Sequence, residues 1–172
     1  MAYSLYLAGF DVKDVTMTDL ISGRETLEDV NMIVYCGGFS NSDVLGSAKG
    51  WAGAFLFNPK AKEALYKYYA REDTLSLGVC NGCQLMMELN LINPEHKKNG
   101  KMLHNDSHKF ESRFLGVTVP TNRSVMLGSL SGSKLGIWVA HGEGKFSLPY
   151  DEDKYNVVLK YSYDEYPSNP NG

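Results

Sequence analysis

No stretch of this sequence stays apolar long enough to cross a bilayer. Its longest such runs, around Met32 to Cys36 and Leu75 to Cys80, fall far below the roughly 20 residues that a spanning helix needs, so no membrane partner is expected. Basic charge is scarce as well. Lys and Arg number 17 against 20 Asp and Glu, a net charge of -3, and without a cationic excess to neutralise phosphates nucleic acid is not an expected partner. Cysteine is limited to Cys36, Cys80 and Cys83. The opening Met1-Ala2-Tyr3-Ser4-Leu5 has no basic leading segment and soon meets Asp11 and Asp14, unlike a secretory signal. An odd thiol count without such a signal predicts reduced cysteines in a cytoplasmic compartment, not a disulfide framework. There is one C-x-x-C pair and no second, so a structural zinc site is not expected, and no other metal is.

What the chain does have is enough apolar residues for one core: 172 residues, 43% hydrophobic and 22% charged, predict a single domain over 1–172. Ala2 to Leu7 suits a helix closed at Ala8-Gly9-Phe10. Asp11 to Met17, with Val12, Val15 and Met17 alternating, suits a short strand, and Thr18 to Arg24 a polar connection. Met32-Ile33-Val34-Tyr35-Cys36 is a short β-branched run ending at Gly37-Gly38, as in a buried parallel strand. Asn58-Pro59 caps a helix with Ala61, Ala64, Leu65, Tyr68 and Tyr69 on one face. Thr74 to Cys80 repeats the strand pattern and Asn81 to Leu89 the helix pattern. This alternation is that of a parallel sheet covered by helices, in which ligands gather at the carboxyl ends of strands. Further strands are expected at Phe114 to Pro120, Lys134 to Ala140 and Asn156 to Tyr163.

Chemistry concentrates at the strand ends. In Gly78-Val79-Cys80-Asn81-Gly82 the glycines permit a sharp strand-to-helix turn with a strained central residue, a nucleophile elbow with cysteine in place of serine. The helix N-terminus there favours the thiolate that attacks. An acyl-transfer nucleophile needs donors for the developing oxyanion. Asn81 N–H and the Gly37-Gly38-Phe39 turn can supply them. His141-Gly142-Glu143-Gly144 follows another apolar strand and can meet a ligand backbone-first, although a histidine hydrogen-bonded within its loop fits His141 equally well. His104 and His108 read as surface or structural residues, His96 as part of an exposed loop without a role, and Cys36 as a buried structural cysteine.

Taken in order, Cys36-Gly37-Gly38-Phe39-Ser40, Gly78-Val79-Cys80-Asn81-Gly82-Cys83-Gln84, Phe110-Glu111-Ser112-Arg113 and His141-Gly142-Glu143-Gly144 resemble the glutaminase, or class I amidotransferase, domain of the phosphoribosylformylglycinamidine synthase family. The likeness spans nearly the whole chain. It implies an α/β, flavodoxin-like three-layer sandwich that hydrolyses glutamine to glutamate and ammonia, with Cys80 forming the thioester. By the match Gly38 and Asn81 line the oxyanion hole, while Gln84, His141 and Gly142 surround the glutamine; Phe110 to Arg113 marks the strand after the elbow helix and is assigned no catalytic role. The resemblance implies no cofactor in this domain and, as partner, a synthetase portion that uses ATP and magnesium to amidate formylglycinamide ribonucleotide in purine biosynthesis.

Two departures accompany the likeness. The family opens with a strand and a glycine loop that have no counterpart before Met1, and it completes its triad with a His-Pro-Glu segment that occurs nowhere in these 172 residues. The expectation is therefore a domain incomplete at one or both ends, without its synthetase portion, that alone hydrolyses glutamine poorly or not at all. Two alternatives stand beside this reading: a thiol redox protein using Cys80 and Cys83, and another cysteine-elbow α/β hydrolase or chaperone. A fragment that binds without turnover is a further one.

Overall fold

In the computed structural model residues 1–38, 46 and 48–171 are described. The chain divides into two compact units, Met1–Leu89 and Asn90–Gly172.

The first unit begins with helix α1, Ala2–Leu7, none of whose residues is buried. Helix α2, Met17–Ser22, stands where a strand and a polar connection were expected. The reason is local. Thr16 Oγ1 accepts from Asp19 N–H at 3.4 Å, and the Asp19 carboxylate accepts from Thr16 N–H at 2.9 Å, a reciprocal capping box that outweighs the weak alternation of Val12 and Val15. Gly23, at φ +80°, closes the helix.

Strand β1, Met32–Tyr35, pairs in parallel with β2, Leu75–Gly78, in the register Met32 to Leu75 through Tyr35 to Gly78. Among the described residues two helices lie between them: α3, Lys49–Phe57, which the sequence pattern did not reveal, and α4, Pro59–Tyr69. As the spacing predicts, Asn58 caps α4, its side chain accepting from Ala61 N–H at 3.0 Å. The α4 face of Ala61, Ala64, Leu65 and Tyr68 is buried, and each large apolar side chain so placed contributes about 1.5–3 kcal/mol. Tyr68 also ties the helix to the sheet. Its hydroxyl donates to Leu75 O at 2.5 Å and accepts from Ile33 N–H at 3.0 Å, meeting one polar group on each strand. Helix α5, Asn81–Glu88, follows β2 directly and packs on both strands with Leu85, Met86 and Met87 buried.

The second unit is built on antiparallel strands. Strands β3, Lys101–Leu103, and β6, Lys145–Ser147, pair with each other, and neither was expected. Strand β4, Glu111–Thr118, pairs over its full length with β5, Lys134–His141, and at its far end with β7, Lys160–Tyr161. Strand β4 thus starts three residues earlier than its hydrophobic run suggests, and β7 covers only two residues of the expected eight. Pairing explains the first: Glu111 lies opposite His141 in the ladder, which draws the polar Glu111-Ser112-Arg113 into the strand. Among the described residues no helix is long and apolar enough to cross a membrane.

Candidate functional site

The turn from β2 into α5 has the form expected of an elbow. Val79 N–H continues the strand pairing by donating to Tyr35 O at 3.0 Å, and Gly82 N–H closes the turn on Val79 O at 2.9 Å. Between them Cys80 sits at φ 54°, ψ -112°, a region that residues with a Cβ avoid. Its side chain is exposed. Both flanking glycines are required for space: a Cβ on Gly82 would lie 2.1 Å from Tyr35 O, and one on Gly78 would lie 2.8 Å from Cys83 Cα and from Gly82 O. The helix therefore approaches the strand backbone to backbone and carries the thiol at its N-terminal end, where the peptide dipoles favour negative charge.

The turn after β1 lies against this elbow. A Cβ added to Gly37 would stand 3.0 Å from Cys80 Cβ and 3.1 Å from Val79 O, and the next residue, Gly38, has a left-handed φ of +101°. Gly38 and Asn81 are thus each one residue from atoms that meet in the elbow. Phe39 and Ser40 lie outside the described residues. Asn81 opens α5 and is buried, and Gln84 is half-buried one turn further along, its N–H donating to Cys80 O at 3.2 Å.

The other two cysteines divide. Cys36 is exposed, not the buried structural residue expected, because β1 ends at Tyr35 and leaves it beyond the ladder. Cys83 is half-buried on α5, and burial first, then its neighbour Cys80, pushes its thiol pKa up. Limited alkylation followed by peptide mass spectrometry should modify Cys80 first and Cys83 last, with Cys83 labelling rising steeply as pH is raised. Prior modification of Cys83 in folded protein would contradict the elbow assignment.

In the second unit, His141 ends β5 and, with Gly142, Glu143 and Gly144, forms the bend that leads into β6. Burial holds the His141 pKa below the usual imidazole value, so the ring is neutral near pH 7. Both ring nitrogens have neighbours: Nδ1 is 3.0 Å from Asn105 Oδ1 and Nε2 is 3.4 Å from the Tyr161 hydroxyl. Asn105, only 1% exposed, was hidden from sequence reasoning by the polar surroundings His104, Asp106 and Ser107. A sequence signal for it would have been an asparagine inside a turn rather than a periodic apolar pattern. His108 N–H donates to Asn105 O at 2.9 Å and closes that turn.

His104 is exposed beside Glu143, whereas His96 is not in an exposed loop. Its ring lies 4.9 Å from each of the Tyr150 and Tyr155 rings and is largely covered by them. Glu111 is 2% exposed and pairs with Arg113 at 2.8 Å, while Arg113 donates to Pro167 O at 3.1 Å. That segment therefore anchors β4 to the loop near Pro167. Among the described residues no group of three His, Cys, Asp or Glu is placed to hold a metal ion.

The model of the CobB/CobQ-like glutamine amidotransferase domain matches residues 1–172. A phosphoribosylformylglycinamidine synthase of Drosophila melanogaster is 41% identical over 189 aligned residues, covering 100% of this chain and 14% of that protein. A probable chloroplastic/mitochondrial phosphoribosylformylglycinamidine synthase of Arabidopsis thaliana is 42% identical over 192, with the same shares. The chain thus spans about a seventh of the length of these curated relatives. Among solved structures, a chain of PurLQS from Thermotoga maritima superposes with a TM-score of 0.63 at 29% identity, over 81% of this chain and 59% of its own. With both glycine-flanked turns in place and the family match running from end to end, the chain belongs to the CobB/CobQ-like glutamine amidotransferase domain family.

Proposed function

We propose that this chain, residues 1–172 taken as one amidotransferase domain of flavodoxin-like sandwich type, supplies ammonia from glutamine to a phosphoribosylformylglycinamidine synthase reaction in the cytoplasm. The observation that carries the reading is the strained backbone of Cys80, φ 54° and ψ -112°, in the turn from β2 into α5, which is the geometry a nucleophile elbow requires.

In this reading Cys80 Sγ attacks the carboxamide carbon of glutamine, and N–H groups of Gly38 and Asn81 receive the oxyanion. Collapse breaks the C–N bond, releases ammonia and leaves a glutamyl thioester that water cleaves to glutamate. The resemblance assigns glutamine binding to Gln84 and, in the second unit, to His141 and Gly142. Proton transfer needs a general base and acid. In this reading His141 binds the amino acid, its Nδ1 turned to Asn105, and the proton transfers fall to another histidine and a carboxylate of the active enzyme. ATP and magnesium act in the synthetase portion, where ammonia meets formylglycinamide ribonucleotide. The raised pKa of Cys83 weighs against a paired redox thiol, since it disfavours the thiolate that would resolve a mixed disulfide.

An electrophilic glutamine analogue should label Cys80 alone, and glutamine in excess should protect it. Labelling shared among the three cysteines, or indifferent to glutamine, would reject the glutaminase reading.

A further inference from the structure

The loop proposed to hold glutamine is shaped by one buried side chain that does not itself belong to it. Asn105 makes a set of contacts that fixes its own orientation: its Nδ2 donates to His141 O at 2.8 Å and to Lys109 O at 3.2 Å, which leaves Oδ1 as the acceptor. That oxygen accepts from Gly144 N–H at 3.1 Å and faces His141 Nδ1 at 3.0 Å. Its backbone N–H donates to Gly142 O at 2.9 Å. Three of the four residues of the bend are thereby held by a single asparagine, and burial makes each of these bonds costly to leave unmade.

The polarity of the network carries a second consequence. An amide oxygen only accepts, so His141 must place its proton on Nδ1. At the other side of the ring, Asn171 Nδ2 donates to Gly144 O at 2.5 Å, so Asn171 Oδ1 faces the Tyr161 hydroxyl and takes its single proton at 3.1 Å. The hydroxyl then has no hydrogen left for His141 Nε2, 3.4 Å away. A neutral His141 is left with an Nε2 lone pair whose neighbour is another acceptor.

We propose that Asn105 is a positioning residue, which holds the His141–Gly144 bend in its ligand-binding shape and keeps His141 as the Nδ1–H tautomer, so that Nε2 accepts a hydrogen bond from an N–H group of the bound amino acid. The binding half of this rests on the glutaminase reading; the tautomer half does not.

The test uses the 172-residue chain labelled with nitrogen-15 in its histidines. The His141 ring should report protonated Nδ1 and bare Nε2 in wild type and in Tyr161→Phe, and addition of glutamine should shift Nε2. Asn105→Ala should lose the single tautomer and weaken glutamine binding about tenfold or more. Asn105→Asp, which places a carboxylate at Nδ1, should keep the proton on Nδ1 and raise the His141 pKa; if the alanine variant fails to fold, the wild-type and Tyr161→Phe tautomers still decide the proposal. An Nε2–H tautomer in wild type, or a tautomer unchanged in a folded Asn105→Ala protein, would overturn the proposal. Absence of any saturable glutamine binding by wild type, with the tautomer dependence intact, would remove the glutamine reading and its binding half while leaving Asn105 as the residue that sets His141.

Discussion

Replacing Cys80 with alanine should lower glutamine-dependent ammonia release, measured in the active enzyme assembly, by on the order of 10⁴-fold or more. Neither remaining thiol can take its place. Cys83 lies on α5 with its thiol pKa raised by burial, and Cys36 is exposed beyond the end of β1 rather than at the start of α5. The same position yields a stability comparison that involves no chemistry. At φ 54°, ψ -112° a Cβ carries strain on the order of 1–3 kcal/mol, which glycine relieves and alanine retains. Denaturant unfolding should therefore find Cys80→Gly about 1 kcal/mol more stable than Cys80→Ala, even though both are inactive. Equal stabilities would mean that the elbow is not strained, and residual activity near wild type would mean that the nucleophile lies elsewhere.

The second large effect concerns folding. Gly82→Ala should cost about 3 kcal/mol or more, because the added methyl would lie 2.1 Å from Tyr35 O, 2.5 Å from Tyr35 C and 2.7 Å from Tyr35 Cβ. The obstruction is mainly backbone of a paired strand. It cannot be relieved by turning a side chain, so α5 must move off β1 and take Cys80 with it. A control sits one helix away: at Gly53, within α3, an added Cβ would meet only the Phe57 side chain at 3.7 and 3.8 Å. There alanine should stabilise by about 0.5–1 kcal/mol, as expected for an unhindered helix interior. Chemical denaturation of the two variants side by side separates a requirement for space from the general cost of altering a glycine. Similar small effects at both sites would show that helix and strand are not packed backbone to backbone.

Local regularities were legible in the chain wherever a short segment decides its own conformation. Asn58-Pro59 announced α4, the β-branched run Met32 to Tyr35 announced β1, and the two glycines around Cys80 announced the elbow, because caps, strand propensity and turn geometry act over a few neighbouring residues. The four motifs in order likewise pointed to the amidotransferase family that the end-to-end match then showed. The capping box at Thr16 and Asp19 was equally local, but it was masked by alternating valines that carry a competing strand signal. Tertiary structure alone decided the rest. Burial of Asn105 and His96, exposure of Cys36, the extension of β4 into Glu111-Ser112-Arg113 and the orientation of the His141 ring all depend on partners 30 or more positions away in most cases, such as His141 for Asn105 and for Glu111, or Tyr150 for His96. A polar residue shows no periodicity that distinguishes a solvated loop from a satisfied interior, since the difference lies in whether the folded chain returns to supply its hydrogen bonds.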